Sequence, residues 1–316
     1  MKVFASIYIG SYEISMKVFE VYKEKGLREI DCLKMQTDLI REVLSKGKIS
    51  FDSTEKLCRI LNDLKRTMSS YKVDGYSVFA SSYFYDASNG FFVLEQIKMR
   101  TGFTVEVISN SEQRFLGYES VASIKHFDNW ISDSAILVDI GGVSLQLTLF
   151  NKGKIITTQH ILIGTVSINE SMSKLSGMYQ ATEQTYEMMR KEIDVFKTMF
   201  LSDISPKYVI FLGDQLNSIS GYFSDIDDKK VEAADYTKIL GKFNKELIKQ
   251  AAILNDNFMD NEEMIEPLVM LHRTIIEVLA PKYVLSPGVS ICEGMAYDHS
   301  YRNLWMVSNH DFPGLW

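Results

Sequence analysis

The sequence predicts an α/β protein built from two βββαβα lobes that face each other across a cleft. Three observations carry that reading: a glycine hairpin that occurs twice, a β-rich opening to each half followed by helices alternating with strands, and a size and composition that suit two cores. Laying Ile7–Phe19 over Val138–Phe150 gives an ungapped match at an offset of 131 residues, with Ile9-Gly10-Ser11 against Ile140-Gly141-Gly142. A repeat of that length is far too long for a solenoid unit and means two homologous lobes. At about 150 residues per domain, the 316-residue chain has room for two hydrophobic cores.

The elements follow in order. Residues 2–9 are apolar and β-rich, residues 14–22 alternate with Ile14, Met16 and Val18 on one face, and residues 27–34 form a third strand after Lys25-Gly26. A helix opens at Asp52, read as its cap with Glu55 three residues on, and presents Leu57, Ile60, Leu61, Leu64 and Met68 on one face. A strand over Gly75–Ala80, a helix over Asn89–Met99, a strand over Phe103–Ile108 and a helix over Glu112–Ile124 complete the first half. The lobes divide near Phe127–Asp133, giving an N-terminal lobe over 1–126 and a C-terminal lobe over 133–300. The second lobe reads as the repeated hairpin, a strand over Lys154–Leu162, a helix over Glu183–Phe200 and a strand over Tyr208–Leu212. Helices over Tyr236–Leu254 and Glu262–Leu279 flank an acidic stretch at Asn255–Glu263; a strand over Lys282–Ser286 and a helix over Ile291–His299 follow. Residues 301–316 form an aromatic tail, Asp225–Asp228 a solvated loop, and Met188, Met189 and Met199 read as core filling.

Composition excludes several classes. Hydrophobic residues at 46% against 24% charged rule out disorder, and 41 acidic against 34 basic residues leave no whole-chain positive field to collect nucleic acid or anionic lipid. Three scattered cysteines and five histidines without HxH or HxxxH spacing argue against a disulfide framework and an imidazole-held metal, so a reducing cytoplasm is expected. The apolar run Val3–Ile9 lacks a small-x-small cleavage pattern and reads as a strand rather than a leader. The longest charge-free stretch, Ile155–Asn169, holds too many polar residues to span a bilayer.

Two lobes presenting glycine turns to a common cleft describe the actin, heat-shock-70 and sugar-kinase architecture, a ribonuclease-H-like fold in which loop N–H groups can cradle phosphates. Within it the chain resembles the exopolyphosphatase and guanosine pentaphosphate phosphatase (Ppx/GppA) family over roughly residues 3–297. The family's first loop, Asp-x-Gly-Ser-Asn-Ser, stands here as Tyr8-Ile9-Gly10-Ser11-Tyr12-Glu13, and its second signature, Thr-Ser-Ala-x-Arg-Asp-Ala-x-Asn, as Ser81–Asn89. Ile-Ser-Gly-x-Glu-Glu-Ala-Arg corresponds to Ile108–Phe115, Asp-Ile-Gly-Gly-Gly-Ser-Thr-Glu to Asp139–Gln146, and the terminal Gly-Leu-Arg-Glu-Gly to Ser290–Gly294. A sugar or acetate kinase fits the third and terminal signatures less well.

The resemblance implies a phosphoanhydride hydrolase requiring Mg²⁺ or Mn²⁺, acting on polyphosphate or a guanosine penta- or tetraphosphate-like ligand, and forming a homodimer. It places phosphate on Gly10, Ser11, Gly141, Gly142 and Ser144, a cation on Asp139 and the residue at 146, and the general base at 113, beside Glu112. Departures cluster at those places. The base is Gln113, an amide that accepts no proton at neutral pH; the cation-associated Glu is Gln146. Tyr8, Tyr85, Cys292 and Val143 replace an Asp, two Arg and a Gly; Glu13 is a new carboxylate that could stand in for a lost ligand. Tyr83, Phe84 and Tyr85 are expected to fill the vacated pocket. These departures imply weak or lost hydrolysis, the alternative being a non-catalytic homologue that binds polyphosphate, a nucleotide or a protein partner.

Overall fold

The computed structural model describes residues 2–22, 26–124, 126–175, 181–213, 230–242 and 262–305. The expected acidic loop at 225–228, most of the acidic stretch at 255–263, the end of the helix expected over 236–254 and the tail beyond 305 lie outside the described residues. In the first half come β1 (Lys2–Ile9), β2 (Glu13–Val21), β3 (Leu27–Gln36), α1 (Leu39–Lys46), α2 (Phe51–Ser70), β4 (Gly75–Ala80), α3 (Tyr83–Asp86), α4 (Gly90–Thr101), β5 (Glu106–Val107), α5 (Asn110–Ala122) and α6 (Phe127–Ser132). The second half contains β6 (Ser134–Ile140), β7 (Leu145–Asn151), β8 (Lys154–Ile161), α7 (Thr165–Leu175), α8 (Ala181–Phe200), β9 (Tyr208–Phe211), β10 (Lys230–Glu232), α9 (Ala233–Lys242), α10 (Glu262–Leu279), β11 (Tyr283–Leu285) and α11 (Ile291–Trp305).

One sheet has the order β3-β2-β1-β4-β5 and the other β10-β11-β9-β6-β7-β8. Reversed, the second reads β8-β7-β6-β9-β11 with β10 added antiparallel at the edge, so it repeats the first. In both, the first strand pairs antiparallel with the second and parallel with the fourth. Both faces of β1 and β6 are covered, which is why their sequences are apolar runs rather than alternations. On one face of the first sheet Ile7, Ile9, Ile14 and Met16 pack with Leu57 and Leu61 of α2 and Ile97 of α4. On the matching face of the second, Ile136, Val138 and Leu147 pack with Met189 and Ile193 of α8 and Leu271 and Ile275 of α10.

The other faces are joined by α5 and α11. Cys292 and Ala296 of α11 cover Phe4 and Phe19 of the first sheet, while Val121 of α5 packs with Ala135, Leu137 and Phe150 of the second. These two helices lie so close that a Cβ on Gly294 would come within 1.9 Å of the Leu116 carbonyl oxygen. The C-terminal helix therefore returns to the sheet that opens the chain, a crossing that no local pattern announces.

Several local expectations are corrected. Ser50, not Asp52, caps α2, its hydroxyl accepting from the Ser53 N–H. The strand expected over Phe103–Ile108 is only Glu106–Val107, α11 runs on to Trp305 into the residues read as a tail, and α1, α3, α6 and β10 have no counterpart in the sequence reading. Met189 is core, but Met188 and Met199 are 39% and 65% exposed, on the outer side of α8.

A polar group sits deep in the second core. His272 of α10 stacks on Phe211 at 3.8 Å and pairs through Nδ1 with the Tyr236 hydroxyl at 2.6 Å. Burial pushes its pKa down to about 3. Above the ordinary histidine value of about 6.5 the imidazole is neutral in both folded and unfolded chains and has no effect on stability. Below it the unfolded chain takes up a proton that the folded one refuses, so stability falls by about 1.4 kcal/mol per pH unit. His272→Gln can keep the Tyr236 hydrogen bond without titrating. Urea unfolding of wild type and variant at about pH 7, 6 and 5 is expected to show a shallower loss toward acid in the variant.

Candidate functional site

The two glycine turns share one hydrogen bond. Gly10 N–H donates to the Glu13 carbonyl and Gly141 N–H to that of Ser144, both at 2.8 Å. Neither these glycines nor Gly142 has a positive φ, so close approach rather than left-handed backbone requires glycine here. A Cβ on Gly10 would lie 3.0 Å from the Glu13 oxygen, and one on Gly142 would lie 3.0 Å from both Ser11 Cβ and Tyr12 Cδ1. The turns of the two halves thus touch. Their carbonyls also close the helices behind them, Ser11 accepting from Ile40 N–H at 3.2 Å and Gly142 from Val166 N–H at 2.8 Å.

Strand register sets two rows against the cleft. Tyr8, Ser15 and Lys34 are direct partners across β1, β2 and β3; Asp139, Gln146 and His160 are partners across β6, β7 and β8. Direct partners share a sheet face. Between these rows lies a cleft of about 280 Å³ whose wall includes Gly10, Ser11, Glu13, Gln113, Asp139, Gly141, Gly142 and Ser144. Eight of the ten residues singled out from the sequence are therefore brought together. Glu112 is not on that wall: its carboxylate accepts from Ser109 N–H at 2.7 Å and completes the capping box of α5. Gln146 lies beneath, 4% exposed, with neither amide atom hydrogen-bonded. Lys34 and His160 also line the cleft and were not identified beforehand; only the register of the third strands reveals them.

Gln113 occupies the centre. The Tyr8 hydroxyl donates to its Oε1 and its Nε2 donates to Asp139 Oδ2, both at 3.1 Å. Burial pushes the Asp139 carboxyl above its usual range, the Gln113 hydrogen bond acting in the opposite direction. Burial, reinforced by the Asp139 charge, raises the Tyr8 phenol. Burial and then the Arg114 charge lower His160, which favours its neutral form. Glu13, Asp86 and Asp139 are the carboxylates on the cleft wall, against one lysine; among the described residues no arginine lines it.

The second signature does not fill the pocket as expected. Tyr83 and Phe84 stack at 4.8 Å and are buried, but Tyr85 is 70% exposed, its hydroxyl donating to the Val107 carbonyl. Helix α3 turns the third aromatic outward. Asn89 is a brace: its amide exchanges hydrogen bonds with the backbone of Ile49 at 2.9 and 2.7 Å.

The family resemblance implies a cation at these donors. Among the described residues no three His, Cys, Asp or Glu side chains gather to hold a metal. Asp139 is engaged by an amide N–H, and position 146 offers an uncharged amide. Mg²⁺ is usually held by one or two carboxylates together with substrate phosphates; Asp139 and Glu13 on the cleft wall could hold an ion that arrives with a phosphate ligand, but among the described residues no all-protein cage for a resident ion is built.

The terminal signature anchors α11 at the cleft's edge. Glu293 accepts from Ser290 N–H at 2.8 Å and from Lys17 Nζ at 2.6 Å, while Lys17 also meets Glu29 at 2.9 Å. Burial works against the charged lysine, but the Glu293 and Glu29 carboxylates outweigh it and hold the ammonium protonated. Cys292 lies 3.6 Å from the Ser15 hydroxyl, its thiol pushed up to about 12 by burial, and is therefore no nucleophile. Lys17→Met leaves Glu293 buried without its cation and is expected to cost about 3–5 kcal/mol in denaturant unfolding. Adding Glu293→Gln, which can still cap α11, is expected to recover part of that loss.

Comparisons with known proteins bear on the fold and the family. The chain is 22% identical over 215 residues to the bifunctional 3-dehydroquinate synthase/phosphatase of Fusobacterium nucleatum, covering 63% of this chain and 32% of that protein. It is 23% identical over 140 residues to exopolyphosphatase 1 of Mycobacterium leprae, covering 44% of this chain and 40% of that one. It thus spans well under half the length of either relative. The crystal structure of the Aquifex aeolicus Ppx/GppA family member superposes with a TM-score of 0.73 at 20% identity, over 98% of this chain and 99% of that one. Its fold is this fold. A sequence profile of the Ppx/GppA phosphatase family matches residues 18–299, and the chain belongs to that family.

Proposed function

We propose that this chain is a Ppx/GppA homologue in which phosphoanhydride hydrolysis is weak or lost. The observation that carries this reading is the state of Gln113. Where the family resemblance places a general base, an amide stands with its oxygen accepting from Tyr8 and its nitrogen donating to Asp139. No proton acceptor for an attacking water is left at that position. Gly10 and Gly141 engage their own N–H groups inside the turns, which leaves less of the loop backbone to receive a phosphate. Among the described residues carboxylates outnumber the lysine on the cleft wall, so a polyphosphate or guanosine tetraphosphate-like ligand would meet a repulsive field from them unless a cation came with it.

Losing a general base typically costs about 10²–10⁴ in rate. Phosphate release from long-chain polyphosphate with Mg²⁺ or Mn²⁺ is expected to be at least about 100-fold slower than for a family member that keeps both carboxylates. The measurement is colorimetric phosphate production by the purified protein. Turnover matching an intact relative and abolished by Asp139→Ala would refute the reading and turn attention to Glu13, which shares the cleft with Asp139.

A further inference from the structure

Two residues that depart from the family signatures, Tyr8 and Gln113, bond each other, and Gln113 reaches on to Asp139, which the signatures retain, in the other half. Tyr8 belongs to the first sheet, Asp139 to the second, and Gln113 on α5 is hydrogen-bonded to both. A carboxylate at 113 could accept from the tyrosine but could not donate to Asp139, whereas an amide does both. A second contact joins the turns. Gly142 lies against Ser11, Tyr12 and Val166, and Val166 is buried in the same apolar cluster as the first sheet's core, with Tyr12 and Val143 packed against it.

We propose that these residues form a two-point latch, an uncharged hydrogen-bonded chain through Gln113 and an apolar clasp of Tyr12, Val143 and Val166, that holds the cleft closed with no divalent ion needed. This goes beyond the functional reading, since the latch holds whatever the cleft binds and whether or not it hydrolyses anything. Buried hydrogen bonds gain strength in a low dielectric, and the whole chain is lost if its middle member cannot both donate and accept. The clasp works differently, by removing apolar surface from water between two loops.

Double electron–electron resonance between spin labels at Lys56→Cys on α2 and Lys191→Cys on α8, both exposed positions, reads the separation of the halves in a Cys32→Ser background. The otherwise unaltered protein is expected to give one narrow distribution, the same in EDTA and in Mn²⁺. Gln113→Leu and Val143→Gly should each shift it to longer, broader distances, and the pair together further. Gln113→Glu is the discriminating variant, because it sets two carboxylates face to face: it should open the halves in EDTA and let Mn²⁺ close them. Tyr8→Phe, which removes one hydroxyl and little else, serves if a larger change prevents folding. Folded variants that keep the wild-type distribution would overturn the latch, as would a wild-type distribution that narrows only when Mn²⁺ is added.

Discussion

An amide can donate and accept at once, and the distinctive chemistry of this cleft depends on that property at position 113. Gln113 accepts a hydrogen bond from the Tyr8 hydroxyl of one half and donates one to the Asp139 carboxylate of the other. The Tyr8 hydroxyl, Asp139 and the separation of the two first strands are positioned around that exchange. A charged side chain in the same place would set like charges together and call for a counter-ion. The amide makes the same approach neutral.

Some of the departures from the family signatures meet one another, while Tyr85 and Gln146 stand apart. Tyr8 and Gln113 bond each other, Cys292 meets Ser15, and Val143 packs where Tyr12 and Val166 already close the turns together. Lys17 adds a charged anchor that ties β2 to the first turn of α11. A site merely released from function would be expected to accumulate unpaired polar groups. Gln146, buried with both amide atoms unpartnered, is such a group, and so are the buried hydroxyls of Ser81 and Tyr83 on the cleft wall; they stand beside the satisfied Gln113–Asp139 pair.

Much of this was legible in the sequence, for identifiable reasons. The 131-residue offset survives as the same turn hydrogen bond in each half because glycine is needed there for close approach, a requirement a sequence displays openly. Strands β1 and β4 were read with the bounds they have, since both are apolar runs ended by clear breaks. What stayed hidden depends on distant partners. The return of α11 to the first sheet rests on Cys292 and Ala296 meeting Phe4 and Phe19, and its close packing on α5 on Gly294 meeting Leu116, all far apart in the chain. Lys34 and His160 reach the cleft only through strand register, and Glu112 is drawn into a cap by Ser109 although its neighbour Gln113 faces the cleft. Tyr85 is expected inward as one of three successive aromatics filling the vacated pocket; one more step along α3 puts it in solvent.

The most direct measurement is a double-mutant cycle on folding stability with Tyr8→Phe and Gln113→Leu. If the phenol and the amide form one bonded unit between the halves, the loss in the double variant should fall short of the summed single losses by about 1 kcal/mol, a typical worth for one such bond. Losses that add to within about 0.3 kcal/mol would mean the two groups do not act together. The hydrogen-bonded chain would then be a proximity without energetic consequence, and the account of a neutral, ion-free closure would be wrong.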